Sequence, residues 1–229
     1  DGPGIDVNNW THETGSGGWG NNELQDYTNL PQNSYIDQGN LVIAALKNGN
    51  GYTSARMITR DKQEFAFGRI DIRAALPVGQ GIWPALWMLG ANHPEEGWPG
   101  CGEIDIMELL GHEPNKIHGT AHWGSIQNGG HPELGSSRLS ETGTTYSDEY
   151  HVFSLEWSQD TLTWLVNEEP YFNLITGEHA SLQSETPFND PFFFIFNIAV
   201  GGNWPGYPDE CTLFPQFMAV DYVRVYQEQ

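Results

Sequence analysis

Short runs of β-branched and aromatic residues, each closed off by Gly, Pro, Asn or Asp, dominate this chain and leave little room for anything but strands. They fall at 41–46, 53–60, 65–76, 83–89, 103–109, 117–123, 150–157, 161–167, 192–200 and 219–226. Runs of this kind between turn-forming residues read as β-strands. Few windows place apolar residues at i, i+3, i+4 and i+7, the spacing that a helix needs to bury one face. The 27 glycines and 14 prolines are spread along the chain as punctuation, with no repeat, linker or low-complexity tract. Ten or more short strands in 229 residues predict an all-β chain. The expected architecture is two antiparallel sheets packed face to face as a β-jelly-roll sandwich. Residues 1–229 are read as a single domain. Charged side chains within the runs (Arg56, Arg69, Asp71, Arg73, Glu103, Asp105) imply that a sheet face meets solvent or a cleft.

Charge removes several function classes. Thirty acids against nine bases give a formal net charge of −21, and such a field repels phosphate backbones and anionic lipid. Nucleic acid and membrane surfaces are therefore not expected as partners. No apolar stretch approaches the 18 or so residues of a membrane-spanning helix. No GxxxxGK[ST], HExxH or GxSxG sequence occurs, which argues against P-loop, zinc-protease and serine-hydrolase chemistry. The chain opens without Met or a basic-plus-apolar leader, as a processed or trimmed form would. Cys101 and Cys211, 110 positions apart, are either one disulfide or two free thiols, with the bridge slightly favoured by an extracellular setting.

The segment Gly102-Glu103-Ile104-Asp105-Ile106-Met107-Glu108-Leu109 puts three acids into an apolar β run, where an unpaired buried charge is costly. Glu103 and Asp105 share a strand face, whereas Glu108 has the opposite parity. One extra residue at Ile106-Met107, accommodated as a β-bulge, brings all three to one side. Two carboxyls about a glycosidic bond are the minimal equipment of a glycosidase, one attacking the anomeric carbon and the other protonating the leaving oxygen. Crowding of three acids is expected to raise at least one pKa. Trp83 and Trp87 share parity on a neighbouring run, and indole faces suit the apolar C–H faces of a neutral sugar. The plainer alternatives are an acidic edge strand or a calcium-binding face, and core packing for most of the nine tryptophans. His118 and His122 form HxxxH, but on a strand they stand about 13 Å apart, too far for one ion.

An ordered set of segments resembles glycoside hydrolase family 16, and within it the bacterial-type endo-β-1,3-glucanases (laminarinases). The set comprises Gly18-Trp19-Gly20-Asn21-Asn22-Glu23-Leu24-Gln25, Thr53-Ser54-Ala55-Arg56, Trp98-Pro99-Gly100-Cys101-Gly102 with the acid strand, and His118-Gly119-Thr120-Ala121-His122-Trp123. It continues with Phe153-Ser154-Leu155-Glu156-Trp157, Gly201-Gly202-Asn203-Trp204-Pro205-Gly206 and Val220-Asp221-Tyr222-Val223-Arg224-Val225-Tyr226. The resemblance implies a jelly roll with a cleft and a retaining mechanism. It implies Glu103 as nucleophile, Glu108 as general acid/base, and Asp105 as the acid that orients and tunes Glu103. His122 resembles a sugar-binding imidazole beside the acid/base, and Asn21, Arg56, Trp83, Trp87 and Trp204 resemble the other sugar-binding residues of the cleft. The extra Met107 is similar to the laminarinase branch, although agarases and carrageenases share the bulge. The implied partner is a neutral β-glucan, the implied setting secretion as a monomer, and no cofactor is implied for catalysis. A structural calcium is implied on the far face, held by the carbonyl of Gly39 and by Asp221. The chain departs from the family at its start, where a strand ending in Asp-Glu-Phe that commonly completes the ion site is absent. A non-catalytic β-glucan-binding protein, which typically lacks the acids, and a related agarase or transglycosylase are the alternative functions.

Overall fold

The computed structural model describes residues 2, 4–124, 130–182 and 186–228. Its strands are β1 Thr11–His12, β2 Gln25–Tyr27, β3 Ser34–Asp37, β4 Asn40–Asn48, β5 Gly51–Ser54, β6 Arg56–Ile58, β7 Glu64–Phe65, β8 Gly68–Ala75 and β9 Ile82–Gly90. They continue as β10 Glu103–Leu109, β11 Lys116–His122, β12 Glu133–Leu139, β13 His151–Trp157, β14 Thr161–Val166, β15 Glu169–Ile175, β16 Phe192–Val200 and β17 Gln216–Tyr226. One sheet runs β1-β6-β16-β9-β10-β11-β12, with β7 also paired to β16. The other runs β15-β14-β13-β8-β17-β4-β5-β2, with β3 paired to β4. All named pairings are antiparallel except β2–β5, which is parallel. The two sheets form a β-jelly-roll sandwich.

Side-chain parity explains how the sheets meet. In β8 the apolar Ile70, Ile72 and Ala74 enter the inter-sheet core, and Arg69, Asp71 and Arg73 take the outer face. There Arg69 pairs with Asp71 at 2.8 Å and Glu168 at 2.7 Å, surface ion pairs worth about 0–1 kcal/mol each. The unbroken apolar run of β16 is a strand covered on both faces. Phe192, Phe194, Phe196 and Ile198 enter the main core, and Phe193 and Ile195 join Ile58, Leu89 and Cys101 in a smaller cluster on the opposite face. Each fully buried Phe contributes about 1.5–3 kcal/mol.

Two runs that read as continuous strands in the sequence divide between the sheets. The run at 53–60 leaves the second sheet after Ser54 and enters the first at Arg56. The run at 65–76 crosses the other way between Phe65 and Gly68, where Phe67 takes a positive φ of 65°. The disulfide expectation is corrected: Cys101 is a buried free thiol and Cys211 an exposed one. The backbone of Cys101 packs on Gly90 at one end of β9, while Thr212 Oγ1, next to Cys211, donates to the Gln80 carbonyl at the other end. Nine strand residues separate those ends, about 30 Å, far beyond the 7 Å that a bridge spans.

Candidate active site

The acid strand β10 lies between β9 and β11, and its register shows how three acids reach one face. Against β11, Asp105 faces Thr120 and Glu108 faces His118, so three steps on one strand match two on the other. Against β9 the slip falls between Asp105 and Met107. The bulge therefore sits at Ile106-Met107, as the parity argument requires. Ile104, Ile106 and Met107 are all in the core, and Glu103, Asp105 and Glu108 line a cleft of ≈ 960 Å³ on the other side. Gly102, with φ 78°, turns the chain into this strand; a Cβ there would lie 2.8 Å from the Phe192 ring.

The same cleft is lined by all six residues that resembled sugar-binding groups: Asn21, Arg56, Trp83, Trp87, His122 and Trp204. Trp83 Nε1 donates to Glu108 Oε1 at 3.0 Å, and Trp204 meets the Trp83 ring edge-on with centroids 5.5 Å apart. Trp87 Nε1 donates to Asn197 Oδ1 at 2.8 Å. Arg56 lies over the rings of Trp87 and Trp19, 4.7 and 4.9 Å from their centroids, and pairs with Glu13 at 2.6 Å. Asn21 donates to Glu23 Oε1 at 3.2 Å. The HxxxH histidines part company, His122 standing opposite Glu103 and His118 opposite Glu108.

The electrostatics separate the three carboxyls. Burial first, then repulsion by Asp105, pushes Glu103 up to about 8, while His122, Arg56 and a hydrogen bond from Trp98 pull it back. Burial also raises Asp105. Glu108 is raised well above the ordinary carboxylate range by burial, then by Asp105 and Glu103, with the Trp83 hydrogen bond the largest opposing effect. His122 Nε2 lies 3.1 Å from Asp105 Oδ2 and 3.7 Å from Glu103 Oε1. Glu103 is thus drawn back by both His122 and Arg56, and Glu108 chiefly by the Trp83 hydrogen bond, which sets two carboxyls in different electrostatic surroundings on one strand face, as a displacement with acid assistance requires.

Other cleft residues carry no signal that the sequence reading used. Glu133 on β12 approaches His122 Nδ1 at 3.2 Å. Asn197, 6% exposed, donates to Tyr27 Oη at 2.9 Å and is the one polar residue in the apolar run of β16. Glu23 accepts from Gln25 Nε2 at 2.6 Å, and burial raises its pKa.

The two residues implied to hold calcium lie away from the cleft. Gly39 is in the β3–β4 turn and Asp221 at a register slip in β17, near the Val220–Leu41 pair. The Asp221 carboxylate accepts from Arg73 Nη1 at 2.6 Å. One paired carboxylate and the two carbonyls of Gly39 and Asp221 fall short of the six to eight oxygens of a calcium ion. With Arg73 in that position, these residues do not fit the ion.

Buried carboxyls on a β-jelly roll, beneath a cleft walled by tryptophans, define a glycosidase. Comparison with known proteins then gives the family. The chain belongs to the glycosyl hydrolases family 16, whose profile matches residues 21–223. It is similar to the laminarinase catalytic domain from Thermotoga maritima, with 48% identity and a TM-score of 0.90 over 100% of this chain and 95% of that one. It is 39% identical to a beta-glucanase of Rhodothermus marinus, covering 97% of this chain and 80% of the relative. It is 37% identical to glucan endo-1,3-beta-glucosidase A1 of Niallia circulans, covering 98% of this chain but only 36% of that protein.

Proposed function

We propose that residues 1–229 act as one secreted, monomeric catalytic domain that cleaves internal β-1,3-glucosidic bonds of laminarin-type glucans, with some tolerance of mixed β-1,3/1,4 chains. The observation that carries this reading is the bulged acid strand, which gives one face a proton-holding Glu108 under Trp83 and a Glu103 beside His122. In the first displacement Glu103 attacks the anomeric carbon as Glu108 gives its proton to the departing glycosidic oxygen. In the second, Glu108 takes a proton from water, whose oxygen attacks the same carbon and releases Glu103. Two inversions leave the β configuration unchanged. No cofactor is needed for this chemistry. The net charge of −21 disfavours sulfated chains, and among the described residues no helix is long and apolar enough to cross a membrane.

Product release from laminarin, barley mixed-linkage glucan and agarose tests the substrate. Laminarin is expected to be cut fastest, with internal scission and a β-anomer as first product by proton NMR. A preference for agarose, or an α-anomer first, would overturn the assignment.

Asp105 gives a separate prediction. Its charge is the second cause raising Glu103 and the second raising Glu108. Asp105→Asn removes that repulsion, so both limbs of the kcat/KM pH profile are expected to move to lower pH. A profile displaced upward, or left in place, contradicts the role given to Asp105.

A further inference from the structure

We propose that Trp164 and Gly119 form a lock that pins the β-bulge of the acid strand, making Trp164 a positioning residue for all three carboxyls; its kinetic consequence rests on the glycosidase reading above. A one-residue bulge can sit at more than one place along a strand. Strand faces alternate, so each one-residue step turns another side chain over. Moved toward the N-terminus, the bulge would turn Asp105 into the core. Moved past Glu108, it would turn that acid away from the cleft. Alternation of acidic and apolar residues already disfavours both shifts, since each would bury an acid among Ile104, Ile106, Met107 and Leu109, but it does not hold the disrupted backbone of the bulge in one fixed geometry.

Trp164, fully buried on β14 of the opposite sheet, supplies that hold. Its Nε1 donates to the backbone carbonyl of Asp105 at 2.8 Å, at the residue where both registers of β10 begin to slip. A bulge disrupts the strand ladder locally, and a buried carbonyl there needs a donor. The indole reaches it through a gap that only glycine leaves. Gly119 lies between Thr120, partner of Asp105, and His118, partner of Glu108. A Cβ at Gly119 would stand 2.5 Å from Trp164 Cδ1, 3.0 Å from its Nε1 and 2.4 Å from the Tyr171 hydroxyl. Behind the indole, Phe172 lies with ring centroids 4.8 Å apart, and the β14–β15 ladder itself slips between Trp164 and Leu165. Core packing alone would be served by any large ring; the donated hydrogen bond and the missing Cβ opposite it serve the bulge.

Trp164→Phe keeps an aromatic ring and removes the donor, and Gly119→Ala pushes the indole off the carbonyl. Each is expected to lower kcat on laminarin about 10- to 100-fold, the scale of a small misplacement of reacting groups. KM should stay within about twofold of wild type, because the tryptophans on β9 are untouched. Wild-type kcat in both variants, whatever their Tm, overturns the lock. A measurement on the unaltered protein covers variants that fail to fold: the Trp164 indole N–H should resist exchange with solvent deuterium for hours by NMR, and exchange within minutes overturns the proposal. Loss of laminarin cleavage in the wild type itself would count against the functional reading alone, since indole exchange tests the lock independently.

Discussion

Glu103→Gln is expected to reduce kcat on laminarin by about 10⁴-fold or more, the scale seen when a covalent nucleophile is removed. The amide matches the carboxylate in shape, so the cleft, the Trp83–Glu108 hydrogen bond and the bulge all remain. KM is therefore expected to change little. The amide has no charge with which to attack the anomeric carbon, and the His122 imidazole 3.7 Å away is left with Asp105, which cannot take over because the bulge register holds its side chain opposite Thr120. Chemical rescue distinguishes nucleophile from general acid. In Glu103→Ala, azide can enter the space left by the carboxylate and attack from the same side. Glu108 still supplies a proton to the leaving oxygen, so the product is an α-glycosyl azide from a β-linked chain. Turnover within tenfold of wild type, or a β-azide, would remove Glu103 from the role of nucleophile.

Much of this site can be read from parity. Glu103, Asp105 and Glu108 interrupt an apolar run, and alternation alone demands one extra residue between the second and third; that residue lies where the register slips. The strands with dense apolar runs are equally visible, and β10 and β16 begin and end at the residues their patterns indicate. What escapes is what depends on distant partners. β12, Glu-Leu-Gly-Ser-Ser-Arg-Leu, lacks an apolar run because Gly135, Ser136 and Ser137 line the cleft rather than the core. Strands β1 and β2 have only two or three residues, too few for a period to register, and β15, interrupted by Pro170, is mostly exposed at a sheet edge. Glu133 acquires its place from pairing opposite His122, a register no local pattern reveals. Asn197 did carry a signal, a polar residue inside an apolar strand, of the same kind that marked the acids. The cysteines mislead for a related reason, since nothing in a count of two shows that they lie near opposite ends of β9.

Glu108→Gln separates the proton-donating role from the rest of the site. The amide keeps an oxygen to accept from Trp83 Nε1 but has no proton to give, so kcat on laminarin should fall about 10²- to 10⁴-fold, the usual contribution of a general acid. The loss should shrink with aryl β-glucosides whose phenolate leaves without protonation, because only deglycosylation then depends on this side chain. In wild type the alkaline limb of the rate profile reflects loss of the Glu108 proton, and that limb should vanish in the variant. Stability should move the other way. A carboxyl raised by burial and by its neighbours Asp105 and Glu103 stabilises the fold only while protonated. Below its unfolded pKa of 4.5 that contribution is fully present, and it is lost as pH rises toward the higher folded value. The amide never ionises, so its Tm should match wild type near pH 4 and exceed it increasingly from pH 5 to 8. For a chain of this length each kcal/mol appears as about 2–4 °C. A variant that loses activity but is no more stable at pH 8 than at pH 4, relative to wild type, would mean that Glu108 is not held protonated in the folded cleft.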